Sequence, residues 1–208
     1  MTIGARSKRG DLTFEAIVTA AEEQFLTKGF DGTKIDDIAQ AAYVSVGTVY
    51  LHFQNKDGVY AAVILRAQDI LVGQYLDPAF DLDAPPWERI ETWCHAFVRF
   101  FEEQEPRARI MALQAYGVGT SEAPEAMHKA LHDNITRFHG RLVALFEEAG
   151  AAGDLGAVDP VAASRFVWSS VYGVCTTNLR HGSLRLDYDG VRDVLRAGLE
   201  LMGGQRPG

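Results

Sequence analysis

Residues 33–56, TKIDDIAQAAYVSVGTVYLHFQNK, decide the fold. Lys34 to Ala42 reads as a short helix, with Ile38, Ala39 and Ala42 on one side and Asp36, Asp37 and Gln40 on the other. Thr33 is expected to cap it, its hydroxyl answering an orphan backbone N–H of the first turn. Tyr43-Val44 makes a turn, and Ser45 is a second N-cap opening another helix that runs to about Phe53. Two short helices joined by a tight turn form a helix-turn-helix. At about 100° per residue, Val49 and Phe53 point inward with Ile38, which leaves Gly47, Thr48, Tyr50 and Leu51 on the open side.

That open side suits a DNA major groove. Gly47 has no side chain to hold the helix away from the bases, and Thr48 and Leu51 can meet a thymine methyl or a base edge. Tyr50, His52, Thr33 and Lys56 carry groups suited to phosphate oxygens. With Lys34, Ser45 and Val46, which flank the same end of the second helix, these residues make up the expected DNA-contacting set.

The run Lys28-Gly29-Phe30, then Thr33, Ile38-Ala39, Val44-Ser45, Gly47-Thr48, Tyr50, His52-Phe53 and Lys56, resembles the N-terminal DNA-binding domain of TetR-family transcriptional regulators. The match is at motif level over about residues 11 to 60 and in helical layout beyond. Tyr43 stands where the family's turn usually carries glycine, so it either adopts a positive φ at a cost or marks a different turn. Val46 stands where a basic or polar residue is frequent. The resemblance implies an all-α chain, with a three-helix DNA-binding domain followed by a larger helical domain for effector binding and dimerisation.

Charge gives no broad support for DNA binding. The chain carries a net charge of −8, and residues 1–60 hold six Lys/Arg against eight Asp/Glu. What matters is the face. Lys34, Lys56 and the tail residues Arg6, Lys8 and Arg9 can lie near it while Asp11, Glu15, Glu22, Glu23, Asp36 and Asp37 lie away. Residues 1–10 read as a flexible basic tail, 11–56 as the DNA-binding domain, 57–203 as the body and 204–208 as a second tail. No run of apolar residues is long enough to span a membrane, and MTIGARSKRG lacks a signal-peptide core, so a cytoplasmic location is expected. Cys94 and Cys175 are far apart and lack metal-ligand spacing.

Upstream of the motif, Phe14, Ile17, Val18, Ala21 and Phe25 repeat at three and four over Asp11–Lys28, an amphipathic helix ended by Gly29. Downstream, Asn55-Lys56-Asp57 opens a helix to about Tyr75. Residues 77–86, DPAFDLDAPP, read as a linker. The next helix, from Trp87 to about Glu103, is apolar over nearly half its circumference, and Arg107–Tyr116 makes a shorter one. Pro124 begins a long helix to about Ala149 with Met127, Leu131, Ile135, Phe138, Leu142 and Leu145 as its buried stripe. After a glycine-rich loop, Asp159-Pro160 caps and starts another helix. That helix is apolar almost all round, with Ser169, Gly173 and Thr176 as a strip of small residues. The last helix, Asp189–Met202, presents Val191, Val194, Leu195, Gly198 and Met202. The last two helices are expected to pair with a second copy as a four-helix bundle, the family's dimer arrangement.

Family resemblance also implies an apolar pocket for a small hydrophobic effector. The expected lining is Trp87, Cys94, Phe97, Phe101, Met111, Gln114, Phe138, Trp168, Tyr172 and Asn178. No cofactor is expected. A competing reading takes His128, His132 and His139, on one flank of the long helix, as metal ligands of a metal-responsive regulator. Lys129 occupies the place where HExxH needs its glutamate, so a hydrolytic zinc site is absent. A third reading is a helical small-molecule-binding protein without DNA binding. No GxSxG elbow, phosphate-cradling loop or dinucleotide fingerprint occurs, and nothing positive supports an enzyme.

Overall fold

A computed structural model describes residues 8–114, 119–180 and 186–201, which form helices and turns with no strand. The order is α1 (Lys8–Gly32), α2 (Ile35–Ala41), α3 (Val46–Phe53), α4 (Lys56–Ile70), a π-helical turn (Leu71–Leu76), α5 (Asp77–Phe80), α6 (Pro86–Glu103), α7 (Glu105–Gln114), α8 (Glu125–Ala152), α9 (Pro160–Arg180) and α10 (Tyr188–Leu201). The expected linker at 77–86 is thus partly helical, because Pro78 falls in the first turn of α5, where its missing N–H costs nothing. Helix α1 begins at Lys8, earlier than expected, and Arg6 lies outside the described residues. Gly29 does break α1, at φ 71° and ψ 175°, before one more turn.

The chain divides into two compact units. The first holds the described residues up to Gln68 together with Ile110–Asp133. Ile17, Val18, Ala21 and Phe25 of α1, Ile38 and Ala39 of α2, Val49 and Phe53 of α3 and much of α4 share its core. Tyr60 sits inside it, edge-on to Phe25 and Phe30, and burial pushes its phenol up to about 12. Long-range ties close this unit. Asn55 caps α4 through the Gly58 N–H at 2.7 Å and also donates to the Glu122 carbonyl at 2.7 Å. The Glu122 N–H donates to Asp57 Oδ2 at 2.8 Å. Gly119, at φ +73°, lies so close to Phe30 and Tyr60 that a Cβ there would stand 2.6 Å from Tyr60.

The second unit, Asp69–Arg109 with the residues from Asn134 on, is built around α6. Its Trp93, Phe97 and Phe100 are fully buried, joined by Phe138, Leu142, Leu145 and Phe146 of α8 and Val167, Val171 and Cys175 of α9. Ile135, expected in the α8 stripe, is 43% exposed, while Phe146 is buried in its place. Asp159 caps α9 as expected, accepting the Ala162 N–H at 2.8 Å. The outer row of α9 is Arg165, Ser169, Gly173 and Thr177; Thr176 instead is buried and turns its hydroxyl to the Tyr172 and Gly173 carbonyls. In α10, Val191 and Leu195 are buried within the chain's own core, and among the described residues of the expected apolar face only Val194 is exposed. Gly198 packs against the Phe166 ring, and Met202 lies outside the described residues.

Candidate nucleic-acid interface

The helix-turn-helix forms as its local chemistry dictates. Helix α2 ends in a left-handed residue at Tyr43, φ 56°, whose N–H reaches the Gln40 carbonyl while the Val44 N–H reaches that of Ala39. This pair of bonds is a Schellman motif, and the Val44 side chain packs against the core to complete it. Tyr43 therefore takes the positive φ that glycine would take at no steric cost. Helix α3 then starts at Ser45, whose Oγ accepts the Thr48 N–H at 3.1 Å and lies 2.8 Å from the Thr48 hydroxyl. Val49 and Phe53 are buried, and Gly47, Tyr50 and Leu51 are exposed on the opposite side, Leu51 at 82%.

Of the ten residues expected at DNA, Lys34, Ser45, Gly47, Tyr50 and Leu51 are exposed, and Thr48 and His52 are half-buried. His52 lies edge-on to Phe14 at 6.4 Å between ring centroids. Three others are held inward. Thr33 is 1% exposed, and its hydroxyl donates to the carbonyls of Gly29 at 2.7 Å and Gln24 at 3.1 Å, so it caps the broken end of α1 and not the start of α2. The N-cap position of α2 falls to Lys34, without a side-chain cap. Lys56 donates to the carbonyls of Phe30 at 2.9 Å and Thr33 at 3.2 Å and lies 4.2 Å above the Phe30 ring. Val46 is half-buried and packs against the core.

One acid near the motif is neutralised. The Lys28 ammonium bonds Asp37 at 2.7 Å and, together with its charge and that of Lys34, holds this carboxyl below its usual range. Asp36 is exposed beside it.

Among the described residues, those expected to line one effector pocket fall in several places. Trp168, Tyr172, Phe97 and Phe138 pack with Trp93 as a layer of rings, with centroids 5.0 Å apart for Phe138 and Trp168 and 6.0 Å for Trp168 and Tyr172. Trp87 and Cys94 border a gap of only about 20 Å³, and burial raises the Cys94 thiol well above its usual value. Met111 and Gln114 belong to the first unit, where Met111 packs against the core. Phe101 and Asn178 border a cavity of about 360 Å³ with Glu105, Arg109 and Cys175. Phe138 borders another of about 390 Å³ with Asp69, Val72, Gly73, Asp77 and Arg141.

The second cavity was missed by the sequence reading. Its polar wall was visible only as Arg137 and Arg141 one turn apart on α8, either side of Phe138, and a charge pair at that spacing is common on any solvated helix. Arg141 there bonds Asp77 and Asp81 and lies 4.3 Å over the Phe80 ring. Of the histidines, His128 and His132 are exposed, and burial with the nearby Arg165 charge lowers the pKa of His139. Among the described residues, no group of three His, Cys, Asp or Glu stands close enough to hold a metal ion, and no helix is long and apolar enough to cross a membrane.

Comparisons with known proteins agree with this architecture. Residues 17–63 match the model of the bacterial regulatory proteins of the tetR family, and residues 90–202 match the tetracyclin repressor-like C-terminal domain. The transcriptional regulator AcuR of Cereibacter sphaeroides is 29% identical over 162 residues, 76% of this chain and 72% of its own. The HTH-type transcriptional regulator RutR of Escherichia coli K12 is 28% identical over 178 residues, 81% of this chain and 76% of its own. Among solved structures, the TetR-family regulator PfmR of Thermus thermophilus is similar over 92% of this chain and 99% of its own, at 27% identity and a TM-score of 0.62. A TetR-like regulator from Rhodococcus sp. RHA1 shares the fold at a TM-score of 0.64 and 21% identity, over 92% of this chain and 94% of its own. With a capped recognition helix and matching family models over both parts of the sequence, the chain belongs to the TetR family of DNA-binding transcriptional regulators and is not an enzyme.

Proposed function

We propose that this chain is a homodimeric repressor, with residues 11–56 binding a pseudo-palindromic operator and residues 57–203 dimerising and taking a small hydrophobic effector. The observation that carries the proposal is the open face of α3. Gly47, Tyr50 and Leu51 are exposed around an N-terminus fixed by the Ser45 cap, which lets the helix enter a major groove end first. Thr48 and Leu51 would read base edges or thymine methyls, while Tyr50, His52 and Lys34 would hold phosphates. Lys56 and Thr33 would act behind this face, keeping the end of α1 against the start of α4.

Dimerisation through α9 and α10 is supported by Ser169, Gly173 and Thr177, which follow Arg165 in the outer row of α9 and are small enough for close helix approach, and by the exposed Val194. A two-fold dimer would set its recognition helices about 34 Å, or a small multiple, apart. Two cavities among the described residues of the second unit, about 360 and 390 Å³, fall in the size range of small-ligand sites. The effector would act by favouring a body conformation whose heads are mis-spaced for successive grooves.

Selection of bound duplexes from a random pool tests the reading. Enrichment of a pseudo-palindrome, with weakened preference at particular base pairs in Thr48→Ala and uniform loss over all duplexes in Tyr50→Phe, is the expected result. No enrichment by a folded dimer would overturn it.

A further inference from the structure

Among the described residues of the first unit, Tyr43 is the aromatic side chain left almost wholly exposed, at 96%, and it stands on a backbone that disfavours it. Its φ of 56° lies in the left-handed region, where a Cβ crowds the following carbonyl. The two Schellman hydrogen bonds and the packed Val44 fix that conformation, so the residue cannot relax out of it without opening the turn. Among the described residues nothing compensates, since a side chain 96% exposed is not packed and its hydroxyl and ring have no partner there. Backbone strain of this kind, held in place by its surroundings, points to a role outside the fold.

The location supplies that role. Tyr43 lies two residues before the Ser45 cap, at the same end of α3 that presents Gly47 to the groove. Because Val44 turns inward, the turn throws Tyr43 outward beside the helix N-terminus, where a DNA strand bordering the groove would run. We propose that Tyr43 is a positioning contact to that strand, its phenol donating to a phosphate oxygen and its ring lying along the sugar backbone. The contact would be indifferent to sequence and, being made by a hydroxyl and not by a cationic side chain, would add no counterion release. The inference rests on the docking face proposed above.

The probe is the duplex that the wild-type chain enriches from a random pool. In Tyr43→Gly the melting temperature should rise by about 2 °C, because the left-handed strain disappears and only part of that gain is offset by the freer unfolded chain. Affinity for the selected duplex should fall about five- to tenfold in the same variant, and about threefold in Tyr43→Phe, which keeps the ring. The ratio of selected to scrambled duplex binding and the salt slope should both stay at the wild-type values. A Tyr43→Gly protein that binds the selected duplex as tightly as wild type overturns the contact alone. A wild-type chain that enriches no duplex overturns the docking face, and the Tyr43 contact with it.

Discussion

The turn into α3 and the ring layer of the second unit are assembled over different distances along the chain. Around the turn, Ser45 meets Thr48, Tyr43 meets Gln40 and Val44 meets Ala39, all within five positions. In the ring layer, Trp93 meets Phe97 nearby but also Phe138 and Trp168, at 5.7 and 6.3 Å between centroids, on two other helices. Local partners dictate geometry almost residue by residue. Distant partners dictate only that something large and apolar must fill the space, and they leave open whether that space is solid or hollow. The turn's shape can therefore be changed by one backbone substitution, whereas the layer responds to lost volume.

Volume gives the largest expected effect. Trp93 is 0% exposed, so Trp93→Ala should remove about 4 kcal/mol, read as a lower urea midpoint. Its indole Nε1 has no hydrogen-bond partner among the described residues, so Trp93→Phe loses ring area but also a buried donor without a partner there. That change should cost less than about 1.5 kcal/mol. Equal losses in the two variants would mean that the indole N–H finds an acceptor and the layer is more than shape.

The first unit is not local throughout, and Gly119 measures by how much. A Cβ at this position would meet Tyr60 at 2.6 Å and Phe30 at 2.7 Å, on a backbone already at φ +73°. Gly119→Ala should therefore cost about 3 kcal/mol, combining left-handed strain with overpacking. A loss under about 1 kcal/mol would show that residues 119–124 yield easily and that the first unit stands on its local contacts.

These differences explain what could be read from sequence. The Ser45 cap, the buried Val49 and Phe53 and the exposed Gly47, Tyr50 and Leu51 follow from rules that act over one or two helical turns. Thr33 did not follow, because a hydroxyl between two helices can cap the later one or close the earlier one. The break at Gly29 settles which, by leaving carbonyls within its reach. Lys56 reads as a free cation until the fold brings Phe30 and Thr33 against it. In α8, Leu131 fills the core of the first unit and Phe138, Leu142 and Phe146 that of the second, so a single stripe drawn along the helix wrongly included Ile135. Cavity walls were least legible. An aromatic at helical spacing marks burial equally well in a packed layer and in a cavity wall.

Lys56 separates local from distant support within the first unit. Its two carbonyl bonds reach back to Phe30 and Thr33, and Lys56→Met keeps most of the stem while deleting both. A loss of about 2 kcal/mol is expected, since hydrogen bonds from a charged donor are the stronger kind. Weakened DNA binding in that variant should recover at low temperature, where the folded state is repopulated. Tyr50→Phe, at a side chain 48% exposed, should show no such recovery. If Lys56→Met melts like wild type yet binds DNA poorly, the ammonium serves a phosphate directly and its inward bonds are incidental.

The smallest effect belongs to a group at the edge of the ring layer. His139 lies 6.2 Å from Trp168 between ring centroids, and burial, with the Arg165 charge adding to it, holds its pKa below the ordinary value of 6.5. The neutral ring is thus favoured in the folded state. Above pH 6.5 both folded and unfolded chains carry it neutral, and its contribution to stability is fully present. As the pH falls through 6.5 the unfolded chain takes up the proton first, and stability is lost until the folded ring also protonates. His139→Gln should remove that part of the pH dependence, so the fall in urea midpoint from neutral to mildly acidic pH should be shallower than in wild type. Contributions common to both proteins cancel in the difference. An unchanged slope would place the ring in water, and the layer would then end at Trp168.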